Sequence, residues 1–269
     1  MSPADPYAAT VATLRAAGCV YAEDEARLLL EEGSTGSDLA ALVARRVAGE
    51  PLEWVLGWAE FADLRIVVRP GVFVPRRRTE LLAAQAIALL RPASVAVELC
   101  CGSGAIAAVI LEEVPFVEVH AADIDPVAVE CARLNVPNGN VHQGDLYDAL
   151  PAELRGRIDV LVANTPYVPT DEVSLMPPEA RDHEPRHTLD GGADGLALLR
   201  RISASAADWL APGGHVLIEV SERQLPVAMR IFADDGLAAG SAHDDDLGAT
   251  VVIGRSPDEF RTRARSTSP

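Results

Sequence analysis

Residues 95–112 read VAVELCCGSGAIAAVILE, an apolar run that passes through a glycine-rich turn into a second apolar run. The pattern predicts a buried strand over 95–99, a tight turn, and a helix over 105–112. Apolar strands and helices continue to alternate as far as residue 253. Such alternation is typical of a parallel sheet covered by helices on both faces. We therefore predict an α/β fold with a seven-stranded, Rossmann-like sheet, closed by an antiparallel edge around the short loop 244–246.

The polypeptide before this sheet has a different character. Residues 1–50 contain three short helical patterns bounded by capping and stopping residues. Residues 54–74 are rich in β-branched and aromatic side chains, and we expect Arg69-Pro70-Gly71 to form the turn of a hairpin. The predicted organisation is a small helical domain (1–50), a β-hairpin linker (51–75), the α/β domain (76–255) and a disordered tail (256–269).

The charge balance narrows the range of functions. The 269 residues carry 23 Lys and Arg against 40 Asp and Glu, a formal net charge of −17. An extended phosphate-binding face needs clustered basic residues, whereas the chain offers a short patch, Arg76–Arg78. No apolar run reaches the ~18 residues of a membrane span, and the N-terminus lacks the basic region of a signal peptide. We expect a cytoplasmic monomer that binds neither nucleic acid nor membrane, with its four cysteines reduced.

The glycine-rich turn within residues 95–112 has the composition of a ligand site. Glycines there let a ligand approach the backbone, and the helix N-terminus offers free N–H groups. Asp123 ends the next predicted strand, where a carboxylate can accept hydrogen bonds from ribose hydroxyls. The predicted cofactor-binding residues of this region are Glu98, Cys100, Cys101, Gly102, Ser103, Gly104 and Asp123.

Two cofactors compete for this loop. Gly102, Gly104 and Ala107 satisfy the loose dinucleotide fingerprint, with an acidic residue about twenty positions on, which favours NAD. Glu98 argues against NAD, because a negative charge before the loop disfavours pyrophosphate and suits a cationic amino-acid end. S-adenosyl-L-methionine has an ammonium, a sulfonium and no phosphate. We predict S-adenosyl-L-methionine, with no metal.

Two further segments follow predicted strands. Asp145 and Leu146 come after the strand near Val141, where Asp145 can accept a hydrogen bond from an adenine amino group and Leu146 can pack on the ring. Asn164-Thr165-Pro166-Tyr167 directly follows the strand predicted over 158–163. An amide oxygen and neighbouring carbonyls can hold an NH2 group by its hydrogens, leaving the nitrogen to react, while an aromatic ring packs against a planar group. The tetrapeptide predicts chemistry on a planar amino or amide nitrogen.

These segments together resemble the protein N5-glutamine methyltransferases of the HemK/PrmC type, which modify the GGQ glutamine of peptide-chain release factors. The resemblance covers nearly the whole chain. Besides the glycine loop, Asp123 and the tetrapeptide, it rests on residues 49–57, 73–76, 79–80, 184–185, 189–192, 194–195 and 211–214. It implies a methyltransferase sheet preceded by a helical substrate-recognition domain. It also implies a protein glutamine amide as substrate and residues Asn164, Thr165, Pro166 and Tyr167 as the catalytic set, with Asn164 also beside the cofactor.

The chain departs from the family pattern at three places. The family tetrapeptide is N-P-P-Y, and Thr165 replaces the first proline, which keeps the backbone carbonyl but loses the fixed φ. Arg77-Arg78 stand where the family often has proline followed by an acid, and Cys100-Cys101 where glycine and threonine are common. The chain thus resembles a side branch. Two alternatives stay open: a nucleobase exocyclic-amino methyltransferase, and a catalytically silent homologue that binds the cofactor.

One motif points elsewhere. His183-Glu184-Pro185-Arg186-His187 spells H-E-x-x-H, a zinc-protease signature when it lies on a helix. Proline in a helix interior costs about 3 kcal/mol, so we predict no zinc site here. The segment 168–194 that contains the motif is too long for a plain connector and is predicted to be a lid or substrate-recognition loop.

Overall fold

The computed structural model describes residues 5–33 and 36–258. Its N-terminal part consists of helices that surround a small apolar cluster of their own, formed by Leu14, Ala22, Ala26, Leu29 and Val55. As predicted, Pro6 opens the first helix and the Asp5 carboxylate caps it by accepting from the Tyr7 N–H at 3.1 Å. The elements of this part are α1 (Pro6–Ala16), α2 (Ala22–Glu32), α3 (Gly36–Val47), α4 (Leu52–Leu56), β1 (Trp58–Phe61) and β2 (Leu64–Val67).

The hairpin is present, but its turn is not where the sequence pattern placed it. Phe61 pairs with Leu64, so the turn is Ala62-Asp63 rather than Arg69-Pro70-Gly71. Ala62 and Asp63 have φ of 48° and 62°, the positive values that a type I′ turn requires. The prediction was wrong because neither residue is the Gly or Asn that usually signals this turn. Residues 69–72 form a separate turn after the hairpin, closed by the Val72 N–H on the Arg69 carbonyl.

The predicted seven-stranded sheet is confirmed. Its strands are β3 (Val95–Leu99), β4 (Glu118–Asp123), β5 (Asn140–Gln143), β6 (Ile158–Ala163), β7 (Leu210–Val220), β8 (Ala238–Asp244) and β9 (Ala249–Arg255). They lie in the order β5-β4-β3-β6-β7-β9-β8, parallel as far as β7. β9 runs antiparallel to both β7 and β8, which gives the predicted antiparallel edge.

Helices cover both faces of this sheet. The strand side chains alternate between two cores: Ala96, Val160 and Val162 belong to one, and Val97 and Leu161 to the other. Nearly every side chain of the central strands is buried, the pattern of a sheet covered on both faces. The helices are α5 (Glu80–Leu89), α6 (Ala105–Glu113), α7 (Pro126–Asn135), α8 (Pro178–His183), α9 (Ala197–Trp209) and α10 (Leu225–Asp234).

The strand order places a ligand crevice between β3 and β6. From β3 the chain proceeds outward through β4 and β5, and then returns to the other side of β3 to form β6 and β7. Open α/β sheets bind ligands at such a reversal, outside the carboxyl ends of the strands. Both predicted ligand segments, the glycine loop after β3 and the tetrapeptide after β6, lie at this point.

The segment 168–194 is folded rather than irregular. Val168 bridges Asp190, and between them lie α8 and short 3₁₀ turns at 173–175 and 186–188. α8 ends at His183, so the H-E-x-x-H motif does not lie on a helix. Within residues 5–33 and 36–258, no group of three His, Cys, Asp or Glu side chains is arranged to hold a metal. The role of this segment as a lid stays a prediction.

Two further predictions concern the ends and the surroundings of the chain. Most of the tail predicted to be disordered, from residue 259 onward, lies outside the described residues, and the domain boundaries stay predictions. No helix in the described part of the chain is long and apolar enough to cross a membrane.

Candidate active site

A cavity of about 640 Å³ opens at the carboxyl ends of β3, β4 and β6. It lies within the size range of small-molecule sites. All the predicted site residues but Gly104 line this cavity. The lining ones are Glu98, Cys100, Cys101, Gly102, Ser103, Asp123, Asp145, Leu146, Asn164, Thr165, Pro166 and Tyr167. Gly104 instead lies against α7, where a Cβ would meet Val136 and Ala132 at 3.0 and 3.1 Å.

The glycine loop turns sharply between β3 and α6. Cys100 and Gly102 both have φ of 54°, in the left-handed region. For Cys100 this conformation costs roughly 1–2 kcal/mol, a strain that a glycine would avoid. The Gly102 N–H donates to Asp123 Oδ2 at 2.8 Å, which ties the loop to the end of β4. The two predicted cofactor segments are therefore joined directly.

Glu98 lies buried at the carboxyl end of β3. Its Oε2 accepts the Ala107 N–H at 2.8 Å, in the first turn of α6. Burial raises the pKa of Glu98 to about 8, against the opposing effect of the Ala107 and Ile106 N–H groups. No basic side chain of the described residues forms an ion pair with it. A cation bound in the cavity would favour the ionised form of this carboxyl group.

Asp123 faces the same part of the cavity. Its two oxygens accept N–H groups from Gly102 at 2.8 Å and from Asp125 at 2.9 Å. Burial raises its pKa, and these hydrogen bonds oppose the rise. A carboxylate has about four lone-pair sites, so acceptor positions are left for the hydroxyls of a ligand.

Asp145 and Leu146 form the next part of the lining. Asp145 Oδ2 accepts from Arg201 at 2.7 Å, and Oδ1 accepts no hydrogen bond from the described residues. Leu146 is buried, with a positive φ of 50°. One acceptor of Asp145 is thus committed to Arg201 and the other is available to an amino group.

The tetrapeptide presents unpaired acceptors. Asn164 Nδ2 donates to Thr79 Oγ1 at 3.2 Å, which fixes the side-chain amide. Neither Asn164 Oδ1 nor the Thr165 carbonyl accepts a hydrogen bond from the described residues. The Thr165 side chain itself is buried, with 4% of its surface exposed. The arrangement leaves two oxygens free to hold an NH2 group.

A buried carboxylate lies behind the tetrapeptide. The Tyr167 hydroxyl donates to Glu219 Oε1 at 3.1 Å, and Arg78 Nε lies 3.5 Å from the same oxygen. Glu219 Oε2 is buried and has no hydrogen-bond partner among the described residues. Burial raises the pKa of Glu219, while the Thr79 hydroxyl, Arg78 and Tyr167 lower it. Burial likewise raises the pKa of Tyr167, so its hydroxyl remains protonated at neutral pH.

Gln224, which lies just before α10, holds the two ends of the 168–194 segment together. Gln224 Nε2 donates to the carbonyls of Tyr167 and Asp194 at 2.8 and 2.9 Å, linking the two ends of the 168–194 segment. Gly195 is required at this contact, because a Cβ there would lie 2.1 Å from the Tyr167 carbonyl oxygen. The position of Tyr167 is therefore set by Glu219 on one side and Gln224 on the other.

Sequence reasoning missed four residues of this site: Arg78, Thr79, Glu219 and Gln224. Arg78 and Thr79 come from the segment before α5, far from the tetrapeptide in sequence. Glu219 was recognisable in principle, since it is the second-last residue of an apolar strand, as Glu98 is. Gln224 lies in an ordinary polar turn and carries no local signal.

The Glu of the H-E-x-x-H motif has a structural partner instead of a metal. Glu184 is buried, and both of its oxygens accept from Arg76 Nη2, at 2.7 and 2.6 Å. Its Oε1 also accepts the Val74 N–H at 3.2 Å. Glu184 thus joins the 168–194 segment to the strand-like segment before α5.

The chemistry of the cavity fits S-adenosyl-L-methionine. Glu98 places a buried carboxyl group and Asp123 a half-buried one beside the glycine loop, and neither group is paired with a basic residue of the described chain at less than 4 Å. Carboxyl groups in this position disfavour phosphate and favour an ammonium, a sulfonium and ribose hydroxyls. The volume also leaves room for the side chain of a substrate beside the cofactor.

Comparisons with known proteins agree with this assignment. The family model of the methyltransferase small domain matches residues 63–177. A solved methyltransferase from Pyrococcus furiosus shares the fold, with 18% identity and a TM-score of 0.55, over 82% of this chain and 99% of the other. The fold is thus that of the S-adenosyl-L-methionine-dependent methyltransferases, and S-adenosyl-L-methionine is the cofactor.

Curated relatives give the family. A protein named release factor glutamine methyltransferase from Streptomyces coelicolor is 41% identical over 77% of this chain and 75% of its own length. A Streptomyces pristinaespiralis protein named 4-amino-L-phenylalanine/4-methylamino-L-phenylalanine methyltransferase is 36% identical over 72% of this chain and 69% of its own. By this degree and extent of similarity, the chain belongs to the HemK/PrmC-type family of release factor glutamine methyltransferases.

Proposed function

We propose that this protein transfers a methyl group from S-adenosyl-L-methionine to the side-chain amide nitrogen of a protein glutamine, the GGQ glutamine of a peptide-chain release factor. In this proposal the cofactor binds along residues 98–104, Asp123, Asp145 and Leu146. The glutamine amide enters beside Asn164 and Tyr167.

The main chemical problem is the low nucleophilicity of an amide nitrogen, whose lone pair is delocalised into the carbonyl. Asn164 Oδ1 and the Thr165 carbonyl would accept the two N–H groups of the substrate amide. Acceptors placed there favour the pyramidal nitrogen of the transition state over the planar ground state. Tyr167 would pack against the amide plane. The bound cofactor supplies a methyl group already activated on a sulfonium, so most of the rate would come from positioning.

One observation carries the proposal: Asn164 is fixed through its nitrogen, and its oxygen has no partner. The hydrogen bond from Nδ2 to Thr79 sets the orientation of the amide group. An acceptor held without a protein donor at the edge of a cavity is suited to bind the hydrogens of an NH2 group. An exocyclic nucleobase amino group offers the same hydrogens, so the substrate class is decided by experiment.

The test compares substrates and variants directly. Purified protein is incubated with labelled S-adenosyl-L-methionine and either a release-factor domain or adenine-containing DNA. The release-factor domain should carry the label on its GGQ glutamine, with a mass increase of 14 Da, and the DNA should carry none. Asn164→Ala should lower the rate by about 10²–10³ with cofactor affinity changed by no more than a few-fold. Asn140→Ala, at an exposed position on β5, is the matched control and should be fully active. Transfer to DNA alone, or a fully active Asn164→Ala variant, would refute the proposal.

A further inference from the structure

The guanidinium of Arg78 lies at the edge of the cavity, where it forms an ion pair with Glu219 but donates no hydrogen bond to the described residues. Arg78 lines the cavity, and its side chain is 47% exposed. Its Nε lies 3.5 Å from Glu219 Oε1, too far for a good hydrogen bond. Its Cζ lies 5.7 Å from the centre of the Tyr167 ring. Arg78 donates no hydrogen bond to any of the described residues, so its five N–H groups have no protein acceptor.

The other basic side chains that line the cavity are already engaged. Arg76 donates to Glu184 at 2.6 and 2.7 Å, and Arg201 donates to Asp145 at 2.7 Å. His187 lies 3.4 Å from Asp125. Among the arginines that line the cavity, Arg78 is therefore the one that can bind an anionic ligand without first losing a hydrogen bond.

The position of Arg78 brings such an anion close to the reacting nitrogen. Arg78 directly precedes Thr79, whose hydroxyl accepts from Asn164, and its guanidinium lies beside the ring of Tyr167. A ligand group bound to Arg78 would therefore be a neighbour of the NH2 group that Asn164 holds.

The surroundings select among anions. Glu219 lies beside Arg78, and Glu179 and Glu184 also line the cavity. These carboxyl groups disfavour a doubly charged phosphate. A carboxylate carries one charge, and its two oxygens match the planar fork of a guanidinium in a bidentate pair. The environment therefore favours a carboxylate.

We propose that Arg78 is a specificity-determining residue that binds a carboxylate of the substrate next to the methylated nitrogen. The inference rests on the proposed function and narrows its substrate class. The carboxylate can come from two sources, the side chain of an Asp or Glu adjacent to the target glutamine in a protein, or the α-carboxylate of a free amino acid. The reaction at the nitrogen is the same for both.

The test measures a preference rather than an absolute rate. The substrates are Gly-Gly-Gln peptides in which Glu, Gln or Lys follows the target glutamine, together with free L-glutamine and its α-carboxamide. The pairs compared are the Glu peptide with the Gln peptide, and free L-glutamine with its α-carboxamide. Because hydrogen bonds to a charged group are strong, wild-type protein should favour the acidic member of at least one pair by roughly ten- to a hundredfold in kcat/KM. Arg78→Gln should reduce this ratio to below about threefold, and Arg78→Glu should favour the lysine peptide.

Arg77→Gln is the matched control, because Arg77 is the exposed neighbour of Arg78 and does not line the cavity. It should keep the wild-type ratio. A merely structural role of Arg78 would lower the rates for acidic and neutral substrates together and leave the ratio unchanged. A preference confined to the peptides identifies a flanking acidic residue, and a preference confined to free glutamine identifies an α-carboxylate.

A binding measurement separates this inference from the proposed function. Calorimetry with protein loaded with S-adenosyl-L-homocysteine gives the affinity for each substrate without any methyl transfer. If no glutamine is methylated, the proposed function fails, while a preference for acidic members that is lost in Arg78→Gln still supports the role of Arg78. Equal affinities for acidic and neutral members, absence of binding by both, or a preference that survives in Arg78→Gln would overturn it.

Discussion

Replacing Glu98 by Gln should make the protein without cofactor more stable, and increasingly so as the pH rises. Burial raises the pKa of Glu98 from its ordinary value of 4.5 to about 8. Between these two values the folded protein holds a proton that the unfolded chain has released. Stability therefore falls as the pH rises through this window. Gln cannot ionise, yet it keeps an oxygen that can accept the Ala107 N–H.

The size of the effect follows from the two pKa values of Glu98. Each pKa unit corresponds to ~1.4 kcal/mol, so the window from 4.5 to about 8 gives a penalty of about 5 kcal/mol in the wild type when it is fully developed. Most of it develops between pH 5 and pH 8.5. For a chain of this size, one kcal/mol changes the melting temperature by roughly 2–4 °C. The variant should therefore gain on the order of 10 °C over the wild type across this range.

Thermal unfolding followed by circular dichroism from pH 5 to 8.5 measures this difference. Subtracting the wild-type curve cancels the contributions of the other buried carboxyl groups, which both proteins share. Glu60→Gln, on the exposed side of β1, is the control and should follow the wild type at every pH. A Glu98→Gln curve that runs parallel to the wild type would show that Glu98 is ionised in the folded protein throughout, and the reasoning would be refuted.

Three further predictions concern the cofactor and the tetrapeptide. Asp123→Ala should weaken S-adenosyl-L-methionine binding in calorimetry by roughly tenfold or more, because hydrogen bonds to a charged acceptor contribute about 1.5–3 kcal/mol each; an unchanged Kd in a folded variant would place the ribose elsewhere. Thr165→Pro should retain or increase kcat, since only the backbone carbonyl is required there and proline restrains it; a large loss would assign a role to the threonine side chain. Tyr167→Phe and Glu219→Met should each lower kcat, and in the double variant the two losses should not add, because each substitution removes the hydrogen bond between the two side chains; additive losses would show that they act separately.

The fold was predictable because its signal is local. The opening stretch 95–112 contains a strand, a turn and a helix within eighteen residues, and each neighbouring βα unit repeats that pattern. The hairpin shows where such signals fail. Its turn residues Ala62 and Asp63 adopt positive φ although neither is a glycine, the residue that usually indicates such a turn. Pro70-Gly71 does indicate a turn, but that turn lies outside the hairpin.

The site was predictable to the extent that its residues end strands. Glu98, Asp123 and Asn164 each follow or end an apolar run, so the sheet alone brings them to one edge. Arg78 and Gln224 reach the site through tertiary packing, from a segment before α5 and a turn before α10, and no local pattern records that contact. Long-range contacts of this kind depend on the whole fold, which a reading of individual segments does not provide.

The division between these two groups of residues corresponds to a division of roles. In the proposed function, the residues at the strand ends bind the cofactor, with an acceptor for its hydroxyls and an acid beside its cation. The residues brought in by tertiary packing, Arg78 above all, lie near Tyr167 and Asn164, where the proposed function places the substrate. The sheet scaffold fixes the strand-end residues, whereas a side chain such as Arg78 can change without disturbing a strand. Differences in substrate among relatives should therefore be sought at the residues brought in by tertiary packing. Exchanging position 78 between this protein and a relative that carries an acid there, and following the preference for acidic or basic flanking residues, tests that view directly.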